Sequence, residues 1–91
     1  MTSSAGSRPR LAAGYRLQWE AAQNANVLLY PEGMVKLNQS AGEILKRCDG
    51  AKSLDTIVAD LESAFDRKDL GPSIFEFVSI ATANGWLQDA P

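Results

Sequence analysis

Cys48 carries the one thiol of this 91-residue chain, and there is no histidine. A lone thiol cannot build a thiolate metal cage, and without an imidazole the chain lacks the commonest metal ligand and the commonest general base near neutral pH. Cys48 also falls at helical spacing on an apolar stripe with Leu37, Ala41, Ile44 and Leu45, which assigns it to a core. The 11 acidic residues, among them Glu20, Glu32, Glu43, Asp60 and Glu76, follow no spacing that converges two carboxylates on one apolar pocket. Gly33, Gly42, Gly50 and Gly71 form no phosphate loop, because none lies in a glycine-rich turn followed by Lys-Ser or Lys-Thr. The expectation is a chain with no catalytic residue, no metal site and no cofactor of its own. The chemistry left to it is recognition through main-chain hydrogen bonds and apolar side chains.

Composition narrows what can be recognised. A net charge of −2 and a pI near 4.9 supply no basic footprint for a nucleic acid. Apolar runs such as Val27 to Tyr30 are far too short to cross a membrane. The single cysteine suits a reducing compartment, so the cytoplasm is the expected location. Ninety-one residues make one small domain.

The elements that would position a binding surface follow from periodicity. Tyr15, Leu17 and Trp19 alternate with Arg16, Gln18 and Glu20, the pattern of a strand with one wet face. Asn24 to Asn26 reads as a turn, and Val27 to Tyr30, apolar on both faces, as a central strand. Pro31, Glu32 and Gly33 read as a three-residue hairpin loop into a short strand from Met34 to Leu37, which lies at an edge if the strands are ordered sequentially. The period then changes to about 3.6 residues. Asn38 and Ser40 are both N-cap types, Ser40 with Glu43 fits a capping box, and Asp49-Gly50 closes this first helix. Ser53 caps a second helix whose stripe is Leu54, Ile57, Val58, Leu61 and Phe65. A charged connection, Asp66 to Asp69, leads to a third helix from Gly71-Pro72 to Asn84-Gly85. Its core stripe is Ile74, Phe77, Val78 and Ala81, with Phe75 and Thr82 at the margin, and Trp86 and Leu87 are expected to pack back over the helix ends. Residues 1–10, small and polar, read as a disordered tail ahead of a domain spanning 11–91.

The expected fold is thus α+β, a small winged-helix-like domain in which a three-stranded antiparallel sheet precedes three helices. Fold analogy would propose a winged-helix nucleic-acid-binding regulator, but the third helix carries Glu76 and no basic residue. The free edge from Met34 to Leu37 offers a different use, accepting an extended peptide as an additional strand while the margin of the third helix receives its side chains. A third reading, a quinone-binding pathway protein, would need Trp19, Trp86 and Tyr30 to stack on a ring.

The stretch Leu28 to Asn38, reading LLYPEGMVKLN, continues through Ser40-Ala41, Glu43 to Leu45 and Cys48 to Gly50. In these residues the chain resembles the PqqD family of pyrroloquinoline quinone (PQQ) biosynthesis. The resemblance runs from about Leu11 to Leu87 and includes the Ile57 to Leu61 stripe and the Gly85-Trp86-Leu87 ending. An aspartate that many relatives carry before the third helix is here replaced by Gly71-Pro72-Ser73. What the resemblance implies is a non-catalytic peptide chaperone, a RiPP recognition element. Such a protein binds the ribosomal precursor peptide PqqA and presents it to the radical S-adenosylmethionine enzyme PqqE, which joins a glutamate and a tyrosine side chain of the peptide. Carried onto this chain, the implied peptide-binding positions are Met34, Val35, Lys36, Leu37 and Asn38 on the strand, and Ile74, Phe75, Val78, Ala81 and Thr82 on the helix.

Overall fold

The computed structural model describes residues 6–90. Its elements are β1 (Pro9–Leu11), β2 (Arg16–Glu20), a 3-10 turn (Ala21–Gln23), β3 (Ala25–Tyr30), β4 (Gly33–Lys36), α1 (Gln39–Lys46), α2 (Leu54–Ala64), α3 (Gly71–Ala83) and β5 (Leu87–Asp89). β2, β3 and β4 form an antiparallel sheet in sequential order, so the α+β expectation holds and β4 is an edge. β3 is central because it can be buried on both faces: Val27 and Leu28 point to opposite sides and both are fully buried. Tyr30 pairs with Gly33, so Pro31 and Glu32 alone form the loop, one residue shorter than expected from the sequence. Asn24 takes the left-handed conformation (φ 51°), and β3 starts at once behind it. The turn expected through Asn26 is thereby shortened, because pairing with β2 reaches Ala25.

The core lies between the inner face of this sheet and the helices. Leu28, Leu37, Ala41, Ile44, Leu45, Cys48, Leu54, Ile57, Leu61, Ile74, Val78, Ala81 and Leu87 form one buried cluster. Each large aliphatic side chain taken from water stabilises by about 1.5–3 kcal/mol. α1 approaches β3 closely because residue 42 is glycine: a Cβ there would lie 2.8 Å from Nδ2 of Asn26 and 3.2 Å from its Cβ.

Several expectations change. Asn38, not Ser40, is the N-cap of α1: its Oδ1 accepts the Ala41 N–H at 2.7 Å. With the cap at Asn38 the third helical residue is Ala41, so Glu43 lies too far along to complete a capping box, and Arg47 and Lys46 hold its carboxylate at 3.0 Å. Arg47 also bonds Asp60 at 2.7 Å and so ties α1 to α2. Trp19, placed by alternation on the inner face, is 56 % exposed, because it stands opposite the polar Asn26 at the end of β2. Phe65 leaves the α2 stripe, lying one residue past the helix and 41 % exposed. Ser53 caps α2 as expected, accepting the Thr56 N–H, and Pro72 sits in the first turn of α3.

The largest departure is at the N-terminus. Residues 1–5 fall outside the described residues, but the tail expectation fails at 7–10. β1 pairs with β5, Pro9 opposite Asp89 and Leu11 opposite Leu87. The carbonyls of Ser7, Arg8 and Pro9 accept N–H bonds from Leu54, Ala90 and Gly50 at 2.8–3.0 Å. Gly50 is required here on two counts: its φ is +82°, and a Cβ would press on Ala90 and Arg10 at 3.2 and 3.4 Å. These bonds are made by main chain, so no apolar period in the sequence announces them. β5 is likewise unannounced, since three residues are too few to show alternation.

Cys48 is in the core, its Sγ donating to the Ile44 carbonyl at 3.3 Å. Burial, helped by the Asp49 charge, pushes its pKa up to about 12. A thiol whose folded pKa is raised stabilises fully below its unfolded pKa near 8.5 and loses that contribution as pH climbs toward 12. The native protein is therefore expected to be inert to a disulfide thiol reagent at pH 8, reacting fully once unfolded in urea; rapid native reaction would contradict this burial. Deleting residues 1–11 is expected to cost about 2–4 kcal/mol from the lost ladder and loop bonds, read as a lower urea midpoint. An unchanged midpoint would mean the segment behaves as a free tail.

Candidate functional site

The open edge of the sheet has a defined phase. The Leu37 N–H donates to the Asn26 carbonyl at 2.9 Å, and the register places Val27 opposite Lys36, Leu28 opposite Val35 and Leu29 opposite Met34. In an antiparallel pair, residues that exchange hydrogen bonds alternate with residues whose polar groups turn away. Leu37, Val35 and Gly33 are therefore bonded to β3, and Met34 and Lys36 turn their N–H and C=O groups outward. No strand among the described residues covers that side. The same alternation sends Val35 and Leu37 inward, while Met34 stands 54 % exposed and Lys36 is exposed.

Directly past β4 the edge meets a cleft of about 440 Å³. Its walls come from the first turns of α1 (Asn38 to Ala41, with Glu43 and Ile44), the end of α2 (Leu61 and Phe65), the connection (Arg67 and Leu70) and the first two turns of α3 (Ser73, Ile74 and Phe77). The floor is apolar and the rim polar. A second hollow, predominantly polar, lies at the same strand end, bordered by Trp19, Asn24, Lys36, Asn38 and Lys46.

The ten residues singled out in the sequence are not equivalent. Asn38 and Ile74 meet at the cleft and bring the end of β4 and the start of α3 to one place. Lys36, Leu37 and Asn38 border the polar hollow. The Asn38 side-chain oxygen is already committed to its cap, and Thr82 Oγ1 donates to the Val78 carbonyl at 2.7 Å. Val78 and Ala81 are each 1 % exposed and belong to the core, and Phe75 is half-buried against it. Phe65, Arg67, Leu70 and Phe77 went unnoticed as site residues. The sequence signal for them is a pair of aromatic residues, Phe65 just past α2 and Phe77 on α3, flanking the charged connection.

Electrostatics single out two cations. Glu43, the only acidic residue on either hollow's lining, is held below its ordinary carboxylate range first by its hydrogen bond to Arg47 and then by Lys46. Lys36 and Arg67 are in no ion pair among the described residues. The three aromatic residues of the quinone reading do not share a slot: Tyr30 stacks on Tyr15 with ring centroids 5.4 Å apart, Trp86 packs on the core, and Trp19 borders the polar hollow. Among the described residues no group of three or more cysteine or acidic side chains is placed to hold a metal ion, and no helix is long and apolar enough to cross a membrane.

Comparison with known proteins gives consistent matches. Residues 25–87 match the family model described as coenzyme PQQ synthesis protein D (PqqD). The chain is 48 % identical over 81 residues to the PqqA binding protein of Azotobacter vinelandii, covering 88 % of each chain. It is 48 % identical over 86 residues to that of Pseudomonas aeruginosa (strain UCBPP-PA14), covering 93 % of this chain and 94 % of the other. Among solved structures it is similar to the solution structure of the PqqD truncation of Methylobacterium extorquens PqqCD, described as a functional, stand-alone RiPP recognition element. The TM-score is 0.80 at 28 % identity, over 96 % of this chain and 95 % of that one.

Proposed function

The chain belongs to the PqqD family, and on that premise we propose that it is a non-catalytic peptide chaperone of PQQ biosynthesis, acting in the cytoplasm. It binds the precursor peptide PqqA as a fourth strand on β4 and presents it to the radical S-adenosylmethionine enzyme PqqE. Met34, Val35, Lys36, Leu37 and Asn38 make the strand side of the site. On α3, Ile74 and Phe75 meet peptide side chains, and Val78, Ala81 and Thr82 hold that part of the helix in position.

The observation that supports this most is the outward phase of Met34 and Lys36 on an edge that ends at an apolar cleft. Two residues with free N–H and C=O groups offer up to four main-chain hydrogen bonds, which any extended peptide can make. Specificity then falls to the side chains that enter the cleft. The chaperone lowers no barrier by bond chemistry. Tethering a flexible peptide beside the enzyme raises its effective concentration and restricts its approach, and the iron–sulfur and S-adenosylmethionine chemistry stays with the partner.

The phase gives a specific expectation. Lys36→Pro removes a donor that serves the incoming strand and not β3, so the variant should fold and yet bind PqqA about 10-fold more weakly or worse. Titration calorimetry against the PqqA peptide and a scrambled control measures this, with circular dichroism as the check on folding. Saturable binding near one peptide per chain supports the reading. Wild-type affinity in Lys36→Pro would remove the β4 edge from it.

A further inference from the structure

Arg67 stands in the wall of the apolar cleft with its guanidinium in no ion pair among the described residues. The acidic groups around it are otherwise engaged or placed elsewhere. Glu43, across the cleft, is neutralised by Arg47 and Lys46 at 3.0 Å. The Glu62 carboxylate accepts the Leu70 N–H at 3.0 Å, while the Arg67 main chain bonds the Glu62 carbonyl. Asp66 and Asp69 sit at left-handed turn positions and do not line the cleft. A domain of net charge −2 therefore presents, at this one wall, an uncompensated cation beside apolar surface.

We propose that Arg67 is a specificity-determining residue, selecting in the captured peptide a carboxylate-bearing residue next to an apolar residue that fills the cleft. The proposal rests on the peptide-capture reading and names the chemistry that reading leaves open. A strand along β4 advances about 3.3 Å per residue, so it reaches the cleft mouth at Asn38 two residues past Lys36. About 440 Å³ takes a large apolar side chain. Successive residues of an extended chain point to opposite sides, so a carboxylate next to the buried group lies at the rim, where a guanidinium meets it with two parallel hydrogen bonds.

The test titrates PqqA into wild type, Arg67→Glu and Lys68→Glu, the last an equal charge change one residue away and off the cleft. Arg67→Glu is expected to weaken binding about 10-fold or more and Lys68→Glu less than about 3-fold. Each carboxylate of the peptide is then replaced by its amide. One replacement should weaken binding to wild type and leave binding to Arg67→Glu unchanged, the mark of a direct pair in a double-mutant cycle. Equal losses in the two protein variants, or strictly additive effects at every peptide carboxylate, would overturn the proposal. An unmodified peptide that fails to bind wild type overturns the capture reading, and this proposal with it. Tight wild-type binding that ignores Arg67 overturns the specificity role alone.

Discussion

The arrangement of the edge and the cleft depends on one close approach, that of α1 to β3 at Gly42 and Asn26. Asn26 works in three directions at once. Its carbonyl accepts the Leu37 N–H and so sets the phase of β4. Its side chain occupies the space that a Cβ at residue 42 would need, bringing the helix down onto the strand. Its partner in β2 is Trp19, at the point where the inner face of the sheet runs out of helix to cover it. Since β4 runs into α1 with only Leu37 and Asn38 between them, the helix cannot move without carrying the strand end. The Asn38 cap makes that junction sharp by using the last side chain of the extended segment to start the helix. Arg47 then carries the constraint onward to α2 through Asp60.

Much of this was legible in the sequence, and what was not has a physical cause. β3, β4 and the three helices announce themselves through apolar period, caps and the Pro72 start, because their stability comes from side chains buried at fixed spacing. Residues 7–10 and 87–89 do not, because main-chain bonds hold them and main chain is the same in every sequence. The capping box at Ser40 and Glu43 fails because the helix starts two residues earlier, at the Asn38 cap, which puts Ser40 inside the first turn and leaves Glu43 to the guanidinium on its own helix face. Trp19 and Phe65 went astray at element ends, where period continues but cover stops. Of the site, the β4 edge could be read from strand order alone. The cleft could not, since four separate segments build it.

Lys36 illustrates how one residue meets two demands. A short edge strand with an exposed lysine resists pairing with another copy of itself, because like charges would be brought together. Toward a peptide bearing acidic groups the same charge is attractive. The edge is therefore left open while its charge discourages pairing with another copy of the same strand. The core residues of α3 serve this surface indirectly, fixing the helix that forms one wall of the cleft.

The β1–β5 pair has a mechanical consequence. Pro9 lies opposite Asp89 and Leu11 opposite Leu87, so both ends of the described chain enter this ribbon from the same end. Tension between them would load the hydrogen bonds one after another, as in opening a zip, and not all together in shear. That is the weak direction of an antiparallel pair. From the N-terminal side the Ser7 bond to the start of α2 is loaded first, and the three-residue ribbon and the Pro9 bond to Gly50 follow. A machine that unfolds proteins from an end would find its first purchase here, at a latch that yields stepwise, well before the sheet bearing β4 is strained.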